Sequence, residues 1–440
     1  MKLRSKLLVL FAIVAVVFGA AWVILTKGDT AQLSVEAVSG PKPKITPART
    51  EVIPTVKVAS VVGWADGAKP VPAAGLAVGQ FAAGLDHPRW LHELPNGDVL
   101  VAETNSPPRE TKGIADWIMG LLMKRAGAGV PSADRITLLR DADGDGVAEM
   151  KVPFLTGLAS PFGMALVGDQ LYIGNHDALV VVPYTAGETR ITAKPKKVMD
   201  LPGGGNHWAK NVVASPDNQI LYISVGSSSN IAENGMEAED YRANILELNL
   251  RTKGVRIFAT GLRNPVGMAW EPKSQALWTV VNERDMLGGD LAPDYMTRVD
   301  FGAFYGWPYS YWGGYEDKRV PERPDLLQYT KRPDYALGPH TASLGLAFGS
   351  LGSFQNGAFV GQHGSWNRQP VSGYKVTFVP FGDRGFPING SGGAMRDVLT
   401  GFLDKDGRAQ GRPVGVITRS KGDLLVADDV GNRIWRVTAK

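Results

Sequence analysis

Three stretches of the chain align without a gap: FAAGLDHP from Phe81, FLTGLASP from Phe154 and FATGLRNP from Phe258. Each runs into an apolar strand pattern, a turn of hairpin chemistry and a second apolar strand. Three looser copies follow the same frame: VVASPDNQILYISVG, whose Pro216 falls under Pro272 at a shift of 56 residues, SLGLAFGSLGSFQNGAFVGQHG, and RPVGVITRSKGDLLVADD. Hairpins therefore recur near residues 88, 161, 209, 265, 343 and 413. A repeated unit that cannot bury its apolar face alone must stack on its own copies. Six such units, with uneven spacers and little helical periodicity, predict an all-β fold, a six-bladed β-propeller over residues 76–440. A β-sandwich is the other home for a chain of hairpins, but six copies of one frame favour radial repetition.

The rest of the chain of 440 residues is organised around that repeat. Lys2, Arg4 and Lys6 precede an uncharged apolar run from Leu7 to Leu25, 19 residues, which matches the thickness of a bilayer. Residues 1–27 thus read as an N-terminal transmembrane helix with its basic end in the cytoplasm and the rest of the chain exported. A signal peptide, cleaved to leave a soluble periplasmic protein, is the competing reading. Residues 28–75 hold six prolines without periodicity and read as a linker. Cysteine is absent, which excludes disulfides, Cys-ligated zinc, iron–sulfur clusters and covalently attached c-type haem. The net charge of +4 is small and its sources are scattered, so no nucleic-acid partner is expected.

In a propeller the innermost strand of each blade begins at one face, beside the central channel, and a hairpin returns to the face it left. The two residues before each inner strand read Asp86-His87, Ala159-Ser160, His207-Trp208, Arg263-Asn264, Thr341-Ala342 and Gly411-Arg412. The segments after the second strands hold Glu283, Arg284, Asp285, His363 and Arg368. The scaffold repeats, whereas these positions differ between copies, as they do in a binding site grafted on a scaffold. Solvated loop residues are the bland reading of any one of them. Several Arg with a His and an Asn at one mouth point to a polyanionic ligand, because Arg pairs carboxylates through a planar fork.

Taken together, GLRNPVGMAW, VNERD, FYGWP, PHTASLGLAF, GQHGSWNR and LLVADDVGNRIWRV resemble the glucose/sorbosone dehydrogenase family, most closely its membrane-bound sorbosone-dehydrogenase branch, over residues 76–440. The resemblance implies a six-bladed propeller that uses pyrroloquinoline quinone (PQQ) and calcium to oxidise an aldose or sugar aldehyde, with electrons passed to a membrane quinone or cytochrome. It implies His207 as the general base and Arg263 beside it as a catalytic and cofactor-binding residue. Asn206, Asn264, Arg368 and Arg412 would complete the PQQ site. The backbone carbonyls of Asp285 and Met286 would hold calcium, although the Gly-Pro of relatives is missing from that loop. A calcium-dependent propeller lactonase and a non-catalytic binding propeller are the rival functions.

Three further motifs stand outside this frame. DADGDGVAE places Asp141, Asp143 and Asp145 at alternate positions, either as a structural calcium loop or as a plain hairpin turn. GIADWIMGLLMKRAGAG (113–129) has helical spacing and either packs on the blades or docks on a membrane or electron acceptor. GAFYGWPYSYWGGY (302–315) reads as long-loop packing near the mouth or as a sugar-stacking wall.

Overall fold

The second strands of the hairpins are mostly apolar along their length, not at alternate positions, and this decides the architecture. Val99–Glu103, Leu277–Val281 and Leu424–Asp428 are buried along their whole length. A strand with two dry faces must lie in a sheet covered on both sides. The computed structural model describes residues 29–51, 54–108 and 113–440, with positions 13, 16 and 19, and shows six antiparallel sheets set around an axis. Leu100 and Ala102 point into a core shared with Phe162 and Ile173 of the following blade. Val99 and Val101, on the other face of the same strand, meet Leu425 and Ala427 of the preceding blade. Six cores of this kind, each between two blades, hold the ring together.

The blades begin with Pro88–Glu93, Met164–Val167, Val212–Ala214, Pro265–Trp270, Ser343–Leu351 and Pro413–Thr418 as their inner strands. Blade six takes its outer strand from the start of the propeller: Leu76–Ala83 pairs with Arg433–Ala439 from Ala83 opposite Arg433 to Leu76 opposite Ala439. The first and last strands are thereby hydrogen-bonded to each other, and the ring has no open seam.

Two features of the repeat have direct physical causes. In Phe-x-x-Gly-Leu, Gly84, Gly157 and Gly261 adopt φ of 66°, 74° and 73°, the left-handed turn that steers the chain from one blade into the next. The Leu that follows, Leu85, Leu158 or Leu262, plugs the core. The Gly two places after the shared Pro lies where inner strands crowd the axis. A Cβ at Gly163 would stand 2.3 Å from Val212 N, at Gly267 2.7 Å from Leu344 O, and at Gly415 2.7 Å from Arg89 O. In blade three Asn211 takes this place and donates from Nδ2 to Val266 O at 2.8 Å, bridging to blade four.

The described residues of the expected linker 28–75, namely 29–51 and 54–75, form an arm laid across the loops of blades four to six. Arg49 N donates to Leu287 O at 3.0 Å, Lys57 N to Trp366 O at 2.8 Å, and Val62 N to Ala409 O at 2.8 Å. Ser39–Gly40 adds a strand to blade four and Val71–Pro72 adds one to blade five. The helix foreseen at 113–129 spans Ile114–Arg125 and meets the arm, where Arg125 O accepts Val61 N at 3.1 Å. Among the described residues no helix is long and apolar enough to cross a membrane, and the expected span at 1–27 lies outside them apart from positions 13, 16 and 19.

Candidate active site

Each hairpin returns to the mouth it left: Pro265 lies opposite Val281, Ser343 opposite Gln362 and Pro413 opposite Asp428. His207 enters this mouth at the head of blade three, half-buried. Its Nδ1 lies 2.9 Å from Ser227 O and 3.0 Å from Ser227 Oγ. A carbonyl can only accept, and the Ser227 hydroxyl gives its own proton to Ser229 O at 2.7 Å. Nδ1 therefore carries a proton. Gly226 lets blade four come close, because a Cβ there would lie 2.5 Å from both His207 Cβ and Asn264 Oδ1. Ser227 N donates to Arg263 O at 2.7 Å, which ties the two blade heads together, and Asn206 beside them is exposed with its N on Ser228 O.

Arg263 is buried, and its guanidinium is saturated by protein. Nε donates to Asn230 O at 3.2 Å, Nη1 to Glu283 O at 2.6 Å and Asn282 O at 3.1 Å, and Nη2 to Asn230 Oδ1 at 3.0 Å and Asp285 Oδ2 at 3.3 Å. Asn264 is buried beside it, and its Oδ1 has no hydrogen-bond partner. Asp285 also faces His340, whose Nδ1 lies 3.0 Å from Asp285 Oδ1 and whose Nε2 lies 3.1 Å from Gly288 O. Both neighbours accept, so both ring nitrogens donate and His340 is an imidazolium. Burial opposes that charge, but the Asp285 hydrogen bond and charge outweigh it and raise the pKa.

These partners decide whether the loop fits calcium. Asp285 O already accepts Asn230 Nδ2 at 3.1 Å, and Met286 O accepts Glu51 N of the arm at 3.2 Å. The Asp285 carboxylate is matched by Arg263 and His340. Each carbonyl keeps a second lone pair, but the Arg263 and His340 charges that already neutralise Asp285 oppose a cation here, so the loop as folded does not fit calcium. Elsewhere, Asp141, Asp143, Asp145 and Glu149 bring carboxylate oxygens within 4.8 Å of one another on an exposed turn far along the chain from the mouth residues.

A second cluster gathers from blades five, six and one. Asp429, fully buried, meets Arg89 Nη1 at 2.7 Å, His363 Nε2 at 2.8 Å and His87 Nε2 at 3.3 Å. Burial would raise the Asp429 pKa, but the His363 and His87 charges hold it far below the usual carboxylate range. Burial pushes His87 down to about 4. Arg412 lies against this group, its guanidinium 5.0 Å over the Tyr374 ring. It donates to one protein carbonyl, Ala59 O at 3.4 Å, and its buried Nε has no partner. Arg368, expected to share the task, turns away to three backbone carbonyls: Gly289 O, Pro370 O and Leu33 O of the arm. Arg89 and Asp429 were not singled out from the sequence. The available signal was an arginine within an inner strand and a doubled Asp after the last second strand.

A family model described as TrAA12-like matches residues 70–294 and 326–440, leaving out 295–325. The chain is similar to the pyrroloquinoline quinone-dependent pyranose dehydrogenase of Coprinopsis cinerea, with 29% identity over 289 residues, covering 52% of this chain and 39% of that protein. It thus spans under half the length of that relative. It is also similar to the aldose sugar dehydrogenase YliI of Escherichia coli, with 28% identity over 217 residues, 45% of this chain and 55% of that one. The solved PQQ domain of the Coprinopsis cinerea pyranose dehydrogenase superposes with a TM-score of 0.67 at 21% identity, covering 87% of this chain and 100% of the domain, which establishes the shared propeller fold.

Proposed function

We infer the function from family and site together: the chain belongs to the TrAA12-like family, among the PQQ-dependent sugar dehydrogenases. We propose that it oxidises the hydroxyl or hydrated aldehyde of an aldose or a sorbosone-like sugar aldehyde. The observation that carries this reading is the His207 ring, whose Nδ1–H is fixed on Ser227 O at 2.9 Å. With Nδ1 so held, Nε2 is the ring nitrogen that would take the proton of the substrate hydroxyl, a task imidazole performs more often than any other side chain.

The residues present fit PQQ. Arg412 offers a buried Nε with no protein partner, and Arg89 stands in the same cluster, a setting for the carboxylates of a flat polyanion. Bound there, the quinone would supply a two-electron acceptor for the substrate's hydride. Asn264 Oδ1, buried and unpartnered, can accept a hydrogen bond from a sugar hydroxyl. Arg263 spends its donors on the loops of blades three and four and so positions the His207 and Asn264 backbone. The electron acceptor we propose is a membrane quinone or cytochrome. The basic, apolar N-terminus supports attachment to the cytoplasmic membrane, with the propeller in the periplasm.

A lactonase would need carboxylates converging on an open metal site. The mouth carboxylates Asp285 and Asp429 are instead matched by Arg and His, which disfavours that reading. The test is reconstitution of the full chain with PQQ, followed by aldose-dependent dye reduction, in parent and His207→Gln. The expected result is PQQ binding in both and turnover lower by roughly 10²–10⁴-fold in the variant. A variant within a few-fold of the parent would move the base elsewhere.

A further inference from the structure

The stretch that the family match leaves out, residues 295–325, contains a tyrosine- and tryptophan-rich insert bolted to the active site. Trp307 Nε1 donates to Asn230 O at 2.9 Å, the same carbonyl that takes Arg263 Nε. Behind this joint the insert closes over Arg284, which follows the buried Glu283 at the mouth.

Arg284 is 2% exposed, and Nε, Nη1 and Nη2 all lack a hydrogen-bond partner. Among the described residues its ion-pair partner is Asp317 of the insert, with Nη1 2.9 Å from Oδ2 but not in hydrogen-bond alignment, and the neighbouring Glu283 carboxyl is pushed up to about 7 by burial. Asp317 Oδ1 is turned to Arg319 N at 3.0 Å. Arg319 Nη1, Trp312 Nε1 and Ser310 Oγ are buried and unpartnered in the same insert. Buried donors nearly always find an acceptor, and a guanidinium with none of its donors satisfied is a costly arrangement. The orphaned atoms are mostly donors, so what completes them brings oxygen acceptors. With Glu283 kept protonated by burial below about pH 7, two guanidiniums against the Asp317 carboxylate leave one positive charge, which suits a monoanion and not a phosphate dianion.

We propose that Arg284 and Arg319 form a subsite for the carboxylate of an acidic sugar, a uronic acid, with the insert as its wall. This rests on the sugar-oxidising reading above and adds the substrate's charge to it. The planar fork of Arg284 can take a carboxylate through two donors, and Asp317 holds the fork in place. The Arg263–Asn230–Trp307 joint ties the insert to the blade head whose Arg263 O accepts Ser227 N, the residue that also holds His207. The sugar ring would lie between the subsite and His207, with its carboxylate toward the insert and the oxidised carbon toward Nε2.

The test uses the full chain without PQQ. Isothermal titration with D-glucuronate and with D-glucose reads binding independently of turnover. The expected result is glucuronate bound at least about tenfold more tightly, with Arg319→Gln removing that preference. Arg284→Lys, which keeps the charge but loses the fork, reduces the preference in the same direction. If Arg284→Lys does not fold, the paired change Arg284→Met with Asp317→Leu removes both charges together and is read in the same way. Equal affinity for the two sugars, or a preference that survives Arg319→Gln, overturns the subsite and leaves water as its occupant. Arg319-dependent glucuronate binding in a protein that reduces no dye after PQQ reconstitution overturns the dehydrogenase reading alone. Dye reduction with neutral aldoses and no glucuronate preference overturns the subsite alone.

Discussion

His340 and Asp285 form a buried imidazolium–carboxylate pair at 3.0 Å, with the second ring nitrogen on Gly288 O at 3.1 Å. The pair makes folding pH-dependent, and the sign follows from the raised His340 pKa. Above the unfolded value of about 6.5, the folded state still binds a proton that the unfolded state has released. The stabilisation is thus complete below about pH 6.5 and is lost as pH rises through the folded value. His340→Gln should lower stability at pH 6 by about 1–3 kcal/mol, the cost of leaving a buried charged partner short of a donor. The difference between parent and variant should shrink toward pH 9. Thermal melts over that range measure it, and a constant difference would place the proton elsewhere.

Arg412 and Arg263 were expected to act alike on the cofactor, and the structure separates them. Arg412 makes one long protein hydrogen bond and keeps an orphaned Nε, whereas Arg263 serves acceptors on Asn230, Asn282, Glu283 and Asp285. Arg412→Ala should therefore raise the PQQ concentration needed for half reconstitution by roughly 10–100-fold, the worth of about 1.5–3 kcal/mol for a charge-assisted bond. Its melting temperature should change little. Arg263→Ala should instead lower stability by about 3–5 kcal/mol by stripping a buried network of its donor. Quinone titration and melting of both variants decide the matter; the reverse pattern would sink this division of roles.

The sequence frame placed His207, Arg263, Asn264 and Arg412 at one mouth, because the repeat sets where each inner strand begins. It could not say where their side chains turn. Arg368 sits on the right loop and points to backbone carbonyls, a choice made by Gly289, Pro370 and Leu33, which are distant in sequence from one another. The Asp429 cluster was hidden for the same reason: Arg89 and Asp429 are 340 positions apart and meet only because the ring closes. The arm was illegible because it docks largely through backbone groups, which leave no apolar period, and its prolines resemble those of a tether.

The arm should be part of the folded enzyme. Asp290, 1% exposed, accepts Gln32 N at 3.0 Å, Leu33 N at 3.0 Å and Arg49 Nη2 at 2.9 Å. Trp64 Nε1 reaches Asp428 Oδ2 at 2.6 Å, beside the Arg412 head. A chain beginning at residue 70 would leave Asp290 without its cation and its two amides. We expect it to melt well below a chain beginning at residue 28 and to need more PQQ, since Arg412 also loses Ala59 O. Equal melting and equal titration would return residues 28–69 to the role of a passive linker.

Lys210 sits under the His207 loop, fully buried, with Nζ on Trp208 O at 3.0 Å and His207 O at 3.4 Å and, among the described residues, no carboxylate bonded to it. Burial, helped by the Arg242 charge, pushes its pKa down to about 7. The unfolded chain keeps this proton up to about pH 10.4. Between these values the unfolded state binds more protons, so stability due to this group rises with pH. The penalty is complete below about pH 7 and gone above the unfolded value. A shift of this size corresponds to roughly 4–5 kcal/mol, from which about 1–3 kcal/mol is subtracted when two carbonyls lose their donor. Lys210→Met should therefore be more stable than the parent near pH 6–7 by about 1–4 kcal/mol. Its advantage should vanish, and then reverse, as pH approaches 10. Melting curves of the two proteins across pH 6–10 give the crossing directly. A variant less stable than the parent at pH 6 would show that the lysine is held charged by a partner worth more than its burial costs.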